Sequence, residues 1–373
     1  MQKFRWNIEL LHSKKQELEK IVNLYEELLE LYTTLIQEYD IKINSNQIDW
    51  DLEKEQETIT VENFKREVVN RINPEKLSIV LNAIEVAKNY HSKWMEPQFD
   101  IYPLNDEQLI ELTRTLFRQI PNLYFQEQFD NITNPNNNLL HIKYFRKLMT
   151  EEFGLTYIDT KDHIPYGLVA RYNTIQDIIT LAHEITHMII RKFEEPMFVF
   201  SNKTTYTETE GYFINLLFSE LLEKQGFNKA ELTNFDKIDL QAILSIVNDT
   251  FITISGIQLH DNQTSINFSK LRNHLKKYNI HTPINSQNFE GFLHEDFEKD
   301  INYAISYLAA LDLYQIYKID PEKAIDHLFV LPTLPGEHLK QELETIEVTF
   351  FEDGYNNLNN HCKKLIKQKA TPK

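Results

Sequence analysis

Glycine is scarce in this chain, at 8 of 373 residues, while long amphipathic runs are frequent. Both features argue for a mostly helical protein rather than a turn-rich β fold. Cysteine is nearly absent. Cys362 stands alone, which excludes an internal disulfide and fits a reducing, cytoplasmic setting. Positive charge is in deficit, with 39 Lys and Arg against 56 Asp and Glu and a net charge of −17. That disfavours nucleic acid and anionic membrane as partners. No run approaches 18 consecutive apolar residues, so no segment is expected to span a membrane. The opening residues Met1 to Trp6 lack the apolar core of a signal peptide, and none is expected. Internal repeats are missing as well.

What is present is mostly helical periodicity. Residues 8–39 carry a stripe through Leu11, Leu18, Val22, Tyr25, Leu29 and Ile36 that predicts one long helix. Further helices are expected at 61–72, at 75–93 behind Pro74, and at 106–119 ahead of Pro121. The asparagine-rich stretch 131–138 reads as a loop. Leu155–Ile158 and Gly167–Tyr172 read as short strands. The second ends just before the next helix, and its free edge could pair with an extended peptide; a plain structural hairpin fits equally well. Downstream, 204–224 and 237–257 read as helices, and 262–292 as mixed structure.

One stretch carries chemistry. His183-Glu184-Ile185-Thr186-His187 reads H-E-x-x-H inside a run where Ile175, Ile178, Ile179, Ala182 and Ile185 recur at helical spacing. Residues four apart share a helix face, so both histidines can point at one metal ion. Two imidazoles suit Zn²⁺ and leave room for a third ligand and a water. In this motif the glutamate, here Glu184, stays off the metal and takes the proton of a zinc-bound water. A motif this short also arises by chance, so a third ligand in the right place is needed.

Glu208 and Glu210 are the candidates. Two apart on a helix, they point to nearly opposite sides, so at most one is a ligand. The face of Glu208 continues through Gly211, Tyr212, Asn215 and Ser219, small and polar apart from the tyrosine. The face of Glu210 continues through Phe213, Ile214, Leu217 and Leu221. A metal site needs a polar wall, which favours Glu208; a carboxylate at a helix N-terminus can also be a mere dipole partner. Further on, His294 precedes a helix carrying Tyr303 and Tyr307 on one face. A tyrosine or histidine near a metal can stabilise an oxyanion, although tyrosines at helical spacing are commonly packing residues.

Taken together, these segments resemble the thimet oligopeptidase and oligoendopeptidase F family of zinc metallopeptidases, closer to oligoendopeptidase F. Asp177 to His187 is similar to its D-V-x-T-L-A-H-E-x-G-H, Glu208 to Gly211 to its E-x-x-S, and Ile301 to Ile305 to its I-D-Y-A-L. Asp320 to Ala324 and Phe350 to Gly354 are similar to its D-P-E-x-A and P-F-E-D-G. The likeness covers roughly residues 150–360, and the chain is shortened on the N-terminal side relative to typical members. Thr186 stands where glycine is usual, Asn215 where a second carboxylate often follows the zinc glutamate, and Asp300 where a tyrosine is common. The Glu208 spacing is a few residues short for oligoendopeptidase F, and Glu210 comes closer on count.

The resemblance implies a mainly α, zincin-like fold with a small sheet beside the active-site helix and a deep substrate channel. It implies an N-terminal helical region over 1–98 and a catalytic domain over 99–373. One zinc per chain is expected on His183, His187 and Glu208, with Glu184 as base and Tyr303 and His294 on the oxyanion. Short peptides are the expected substrates, in the cytoplasm; oligomeric state is left open. The alternative is a catalytically weak peptide-binding or regulatory protein on the same scaffold.

Overall fold

Asparagine side chains start five of the described helices. Asn73 accepts from the Glu75 amide, Asn122 from Phe125, Asn228 from Ala230 and Asn267 from Lys270. Asn105 forms a reciprocal capping box with Gln108. Each supplies an acceptor to an amide with no partner inside its own helix. Pro74 and Pro321 occupy first turns, where the missing N–H costs nothing.

The computed structural model describes residues 73–90, 101–144, 154–158, 164–194, 205–206, 208–260, 266–282, 297–331, 339–345 and 354–367, with a few single positions besides. The helix expected over 8–39, the boundary expected near residue 98, and His294 lie outside them.

In chain order the elements are α1 (Pro74–Asn82), α2 (Ile84–Ala87), α3 (Asp106–Phe117), α4 (Leu123–Thr133), β1 (Leu140–Tyr144), β2 (Gly154–Ile158) and β3 (Pro165–Arg171). Then follow α5 (Gln176–Glu194), α6 (Thr209–Lys224), α7 (Lys229–Leu259), α8 (Phe268–Leu275) and a short 3₁₀ turn at Lys276–Tyr278. The chain continues through α9 (Phe297–Ile319), α10 (Pro321–Val330), α11 (Leu339–Thr345) and α12 (Gly354–Lys367). The protein is mainly helical with one small sheet, as the sequence predicts.

The structure departs from these expectations in three places. The second predicted strand, β3, is the centre of the sheet, with order β1-β3-β2, so it has no free edge. It pairs parallel with β1 and antiparallel with β2. Strand β1 is not apparent from the sequence, because Leu140 to Tyr144 is short and its burial does not alternate cleanly. Nor is α4, whose last turn reaches into the stretch read as loop.

One face of the sheet packs on α5. Gly167 of β3 sits against Met188, and Thr156 of β2 reaches Glu184. Behind α5 lie α6 and then α9, joined by a single apolar core. Phe117, Phe129, Phe218 and Ile179 are fully buried there. Burial of such side chains contributes about 1.5–3 kcal/mol each. Helix α7 is long and apolar enough to cross a membrane by length and composition, yet 67% of its most apolar window is buried against the protein. It packs on α6, α8 and α9 as a core helix.

His361 on α12 sits against Tyr307, with ring centroids 6.4 Å apart. Burial, then the charges of Lys364 and Lys318, hold its pKa down to about 3. An unfolded chain would protonate it near 6.5. Between those values the unfolded state binds the extra proton, so stability falls as pH drops from about 6.5 towards 3. The limiting slope is about 1.4 kcal/mol per pH unit. Denaturant melts from pH 7 to 4 are expected to show a shallower acid loss for His361→Phe than for wild type; equal slopes would refute the assignment.

Candidate metal centre

The turn into α5 is tied by Asp177. Its carboxylate accepts from the amides of Tyr172 at 3.0 Å, Asn173 at 2.7 Å and Thr174 at 3.2 Å. Asn173 takes a left-handed conformation, φ 61°, which asparagine tolerates better than most residues. This clamp joins β3 to α5 and sets the phase of the helix. The residues Ile178, Ile179, Ala182, Ile185 and Ile189 then face the core, fully buried. His183 and His187 are left on the side facing α6. Thr186 is buried too, its hydroxyl donating to the Ala182 carbonyl at 2.8 Å, so it brings no unpaired polar group.

The two histidines meet through their Nε2 atoms, 3.0 Å apart. A carboxylate oxygen of Glu208 lies 3.4 Å from His183 Nε2 and 3.5 Å from His187 Nε2. Glu208 is the N-cap residue of α6. Three donors bound tetrahedrally to one zinc at roughly 2.0–2.1 Å would lie roughly 3.3–3.4 Å from each other. The triangle matches that spacing, and its donor set is of the kind that holds zinc.

The far ring nitrogens are also engaged. His187 Nδ1 lies 3.1 Å from Glu210 Oε1. His183 Nδ1 lies 3.2 Å from Asn215 Oδ1. Both partners present oxygen, so each Nδ1 carries the proton and each Nε2 turns its lone pair to the centre. The charge balance favours a cation at that point, either a proton on the rings or a metal ion that takes its place. Burial opposes a positive His187, but Glu208 outweighs it, with help from Glu210, and pushes the imidazole up to about 10. His183 is likewise raised, burial being overcome chiefly by its hydrogen bond to Glu208. Burial would raise Glu208, yet the two imidazoles drive it well below the ordinary carboxylate range. The pocket therefore favours positive charge where the three donors converge.

Glu184 is buried next to this triangle. Thr156 on β2 donates to its Oε2 at 2.6 Å. Gly154, two residues earlier, has no side chain because Glu184 fills the space: an added Cβ would come closer than 3.0 Å to the carboxylate.

No family model matches the chain, and no curated protein sequence matches it significantly. Solved structures do. A candidate peptidase from Chlamydophila abortus superposes with a TM-score of 0.59 at 15% identity, over 82% of this chain and 57% of its own. A candidate oligoendopeptidase F superposes with a TM-score of 0.51 at 14% identity, over 96% of this chain and 67% of its own. The chain has the oligoendopeptidase F fold. A further candidate oligoendopeptidase F, from Bacillus anthracis, aligns over 96% of this chain and 64% of its own, at 15% identity and a TM-score of 0.47. The chain thus spans less than two thirds of the C. abortus and B. anthracis proteins.

On this fold, the residues singled out from sequence separate clearly. His183, His187 and Glu208 come together. Glu210 does not join them; it is buried behind His187. Tyr303 is half-buried, close enough to Glu208 and Glu184 to feel their charge. Burial, then the negative charges of Glu208, Asp300 and Glu184, raise its phenol above the ordinary range, so it stays a donor. Tyr307, one turn along the same helix, is 1% exposed and sits in the core between Tyr212 and His361.

Sequence reading missed Thr156 and Gly154, which hold Glu184. Nothing local marks them, since β2 meets α5 only in the folded chain. Gly211, on the Glu208 face of α6, has a role that the sequence does not display. An added Cβ there would come closer than 3.0 Å to the His183 ring. Alanine usually gains about 0.5–1 kcal/mol over glycine inside a helix. Gly211→Ala is nevertheless expected to displace the imidazole and weaken zinc binding by at least about tenfold. Competition with a chromogenic chelator checks this; unchanged affinity would mean His183 moves away at no cost.

Proposed function

We propose that this chain is a zinc-dependent endopeptidase that hydrolyses peptide bonds in short oligopeptides. The observation that carries the reading is the triangle of His183, His187 and Glu208 with the tethered Glu184 carboxylate beside it. His183 and His187 would hold the ion through Nε2, and Glu208 through a carboxylate oxygen. Bound zinc would supply a Lewis acid that polarises the scissile carbonyl and acidifies water.

The chain's own groups do the rest. Thr156 occupies Oε2 of Glu184, which leaves Oε1 to take a proton from the attacking water. The same oxygen then delivers that proton to the leaving nitrogen. Tyr303 donates its hydroxyl to the negative charge that develops on the carbonyl oxygen, with His294 as a second donor. Glu210 keeps His187 in the tautomer that presents Nε2.

A library of quenched fluorescent peptides, incubated with zinc-loaded protein, tests the proposal. Cleavage that a chelator abolishes and zinc restores is the expected result. Tight binding without products would favour the peptide-binding alternative. Failure to take up near-stoichiometric zinc would overturn the metal assignment itself.

A further inference from the structure

His183 and His187 are held differently. Glu210 accepts directly from His187, whereas the partner of His183 is the neutral amide of Asn215. An amide has two ends, one accepting and one donating, so by itself it does not dictate which proton the imidazole carries. Presented nitrogen-first, Asn215 would demand a lone pair from Nδ1 and leave the proton on Nε2, where it would block a metal.

Behind Asn215 stands a group that removes this ambiguity. Asn215 Nδ2 donates to Asp239 Oδ2 at 2.9 Å. An ionised carboxylate only accepts, so the NH₂ end must face Asp239 and the oxygen must face His183. The proton then sits on Nδ1 and the Nε2 lone pair points to the centre. One turn along, Ser219 donates to Asp236 at 2.9 Å, which helps fix the register of α7 on α6. Asp239 thus belongs to a different helix from either histidine. It keeps its negative charge one amide away from the imidazole.

We infer that Asp239, acting through Asn215, sets the tautomer of His183 and is a positioning residue for that ligand. The inference rests on the reading of His183 as a zinc ligand. It assigns a role to a residue remote from the H-E-x-x-H stretch, and it makes the docking of α7 a condition for tight metal binding.

The test is zinc affinity, read by chelator competition without any substrate. Burial pushes Asp239 up to about 6, so pH 8 reads the ionised chain. Asn215→Leu removes the acceptor and is expected to weaken zinc by about 10–100-fold. Asp239→Asn keeps the shape but frees the amide to turn, and is expected to weaken zinc by about tenfold. The double variant is expected to bind no more weakly than Asn215→Leu alone, because both act on one chain of bonds. Wild-type affinity in Asp239→Asn, or losses that multiply in the double variant, would overturn the inference. If Asp239→Asn loses its helical circular dichroism, Asp239→Glu reads the same coupling: weaker zinc supports the chain, unchanged zinc overturns it. A wild-type protein that binds no zinc would instead refute the reading of the metal centre, a result distinct from these.

Discussion

Glu184→Gln is expected to bind zinc as wild type does and to cleave peptides about 10²- to 10⁴-fold more slowly. The change is nearly isosteric, so the packing against Gly154 survives. The amide oxygen can still accept from Thr156. The other end becomes NH₂, a donor, and can no longer accept a proton from water. Binding and base function are thus separated by one atom. Metal analysis of the purified variant and single-turnover cleavage would check both halves. A variant that cuts at the wild-type rate would remove Glu184 from the mechanism. One that loses zinc would mean the carboxylate is part of the ion's binding site.

Tyr303→Phe is expected to lower kcat by about 10²- to 10³-fold, with KM little changed and zinc content whole. A divalent ion neutralises only part of the charge that accumulates in acyl transfer, and a fixed donor in a partly buried site adds to it. The phenol is held protonated by its burial and by the acidic groups around it, Glu208 first among them. Phenylalanine keeps the packing and loses only the donor. A drop confined to KM would indicate uniform substrate binding instead. Near wild-type kcat would make Tyr303 a packing residue, and Tyr307 could not replace it, since that ring is enclosed in the core.

The motif helix was legible because its message is local. Spacing of four puts two histidines on one face whatever surrounds them, and the apolar positions of α5 say which side is core. The position of Glu208, rather than Glu210, beside both histidine Nε2 atoms was legible for a related reason. The polar run through Gly211, Asn215 and Ser219 marks the face of α6 that meets other polar groups, and Asn215 and Ser219 do hydrogen-bond there. The apolar face has a use that its composition hides. Glu210 is buried on it at 2% exposure, with His187 as partner. Thr156 and Asp239 were illegible, since neither stands near the motif in sequence and neither belongs to a recognisable pattern. They acquire a role only when β2 and α7 close on α5 and α6. Strand β1 was lost for the opposite reason: five residues with mixed burial give period-two patterning little to work with.

The third donor lies outside the helix that supplies the other two. Glu208 stands at the N-cap position of α6, so the donor set exists only once α5 and α6 have docked. An ion that binds this set and not the open chain acts as a cross-link between two helices, and its affinity adds to the stability of the fold. At free zinc a hundredfold above its Kd the gain would be about 2.7 kcal/mol, a sizeable share of the stability of an ordinary domain. Depriving a cell of zinc would then act twice on this protein. It would silence the molecules that persist, and it would thin their number, because those without an ion open more often to the proteases around them.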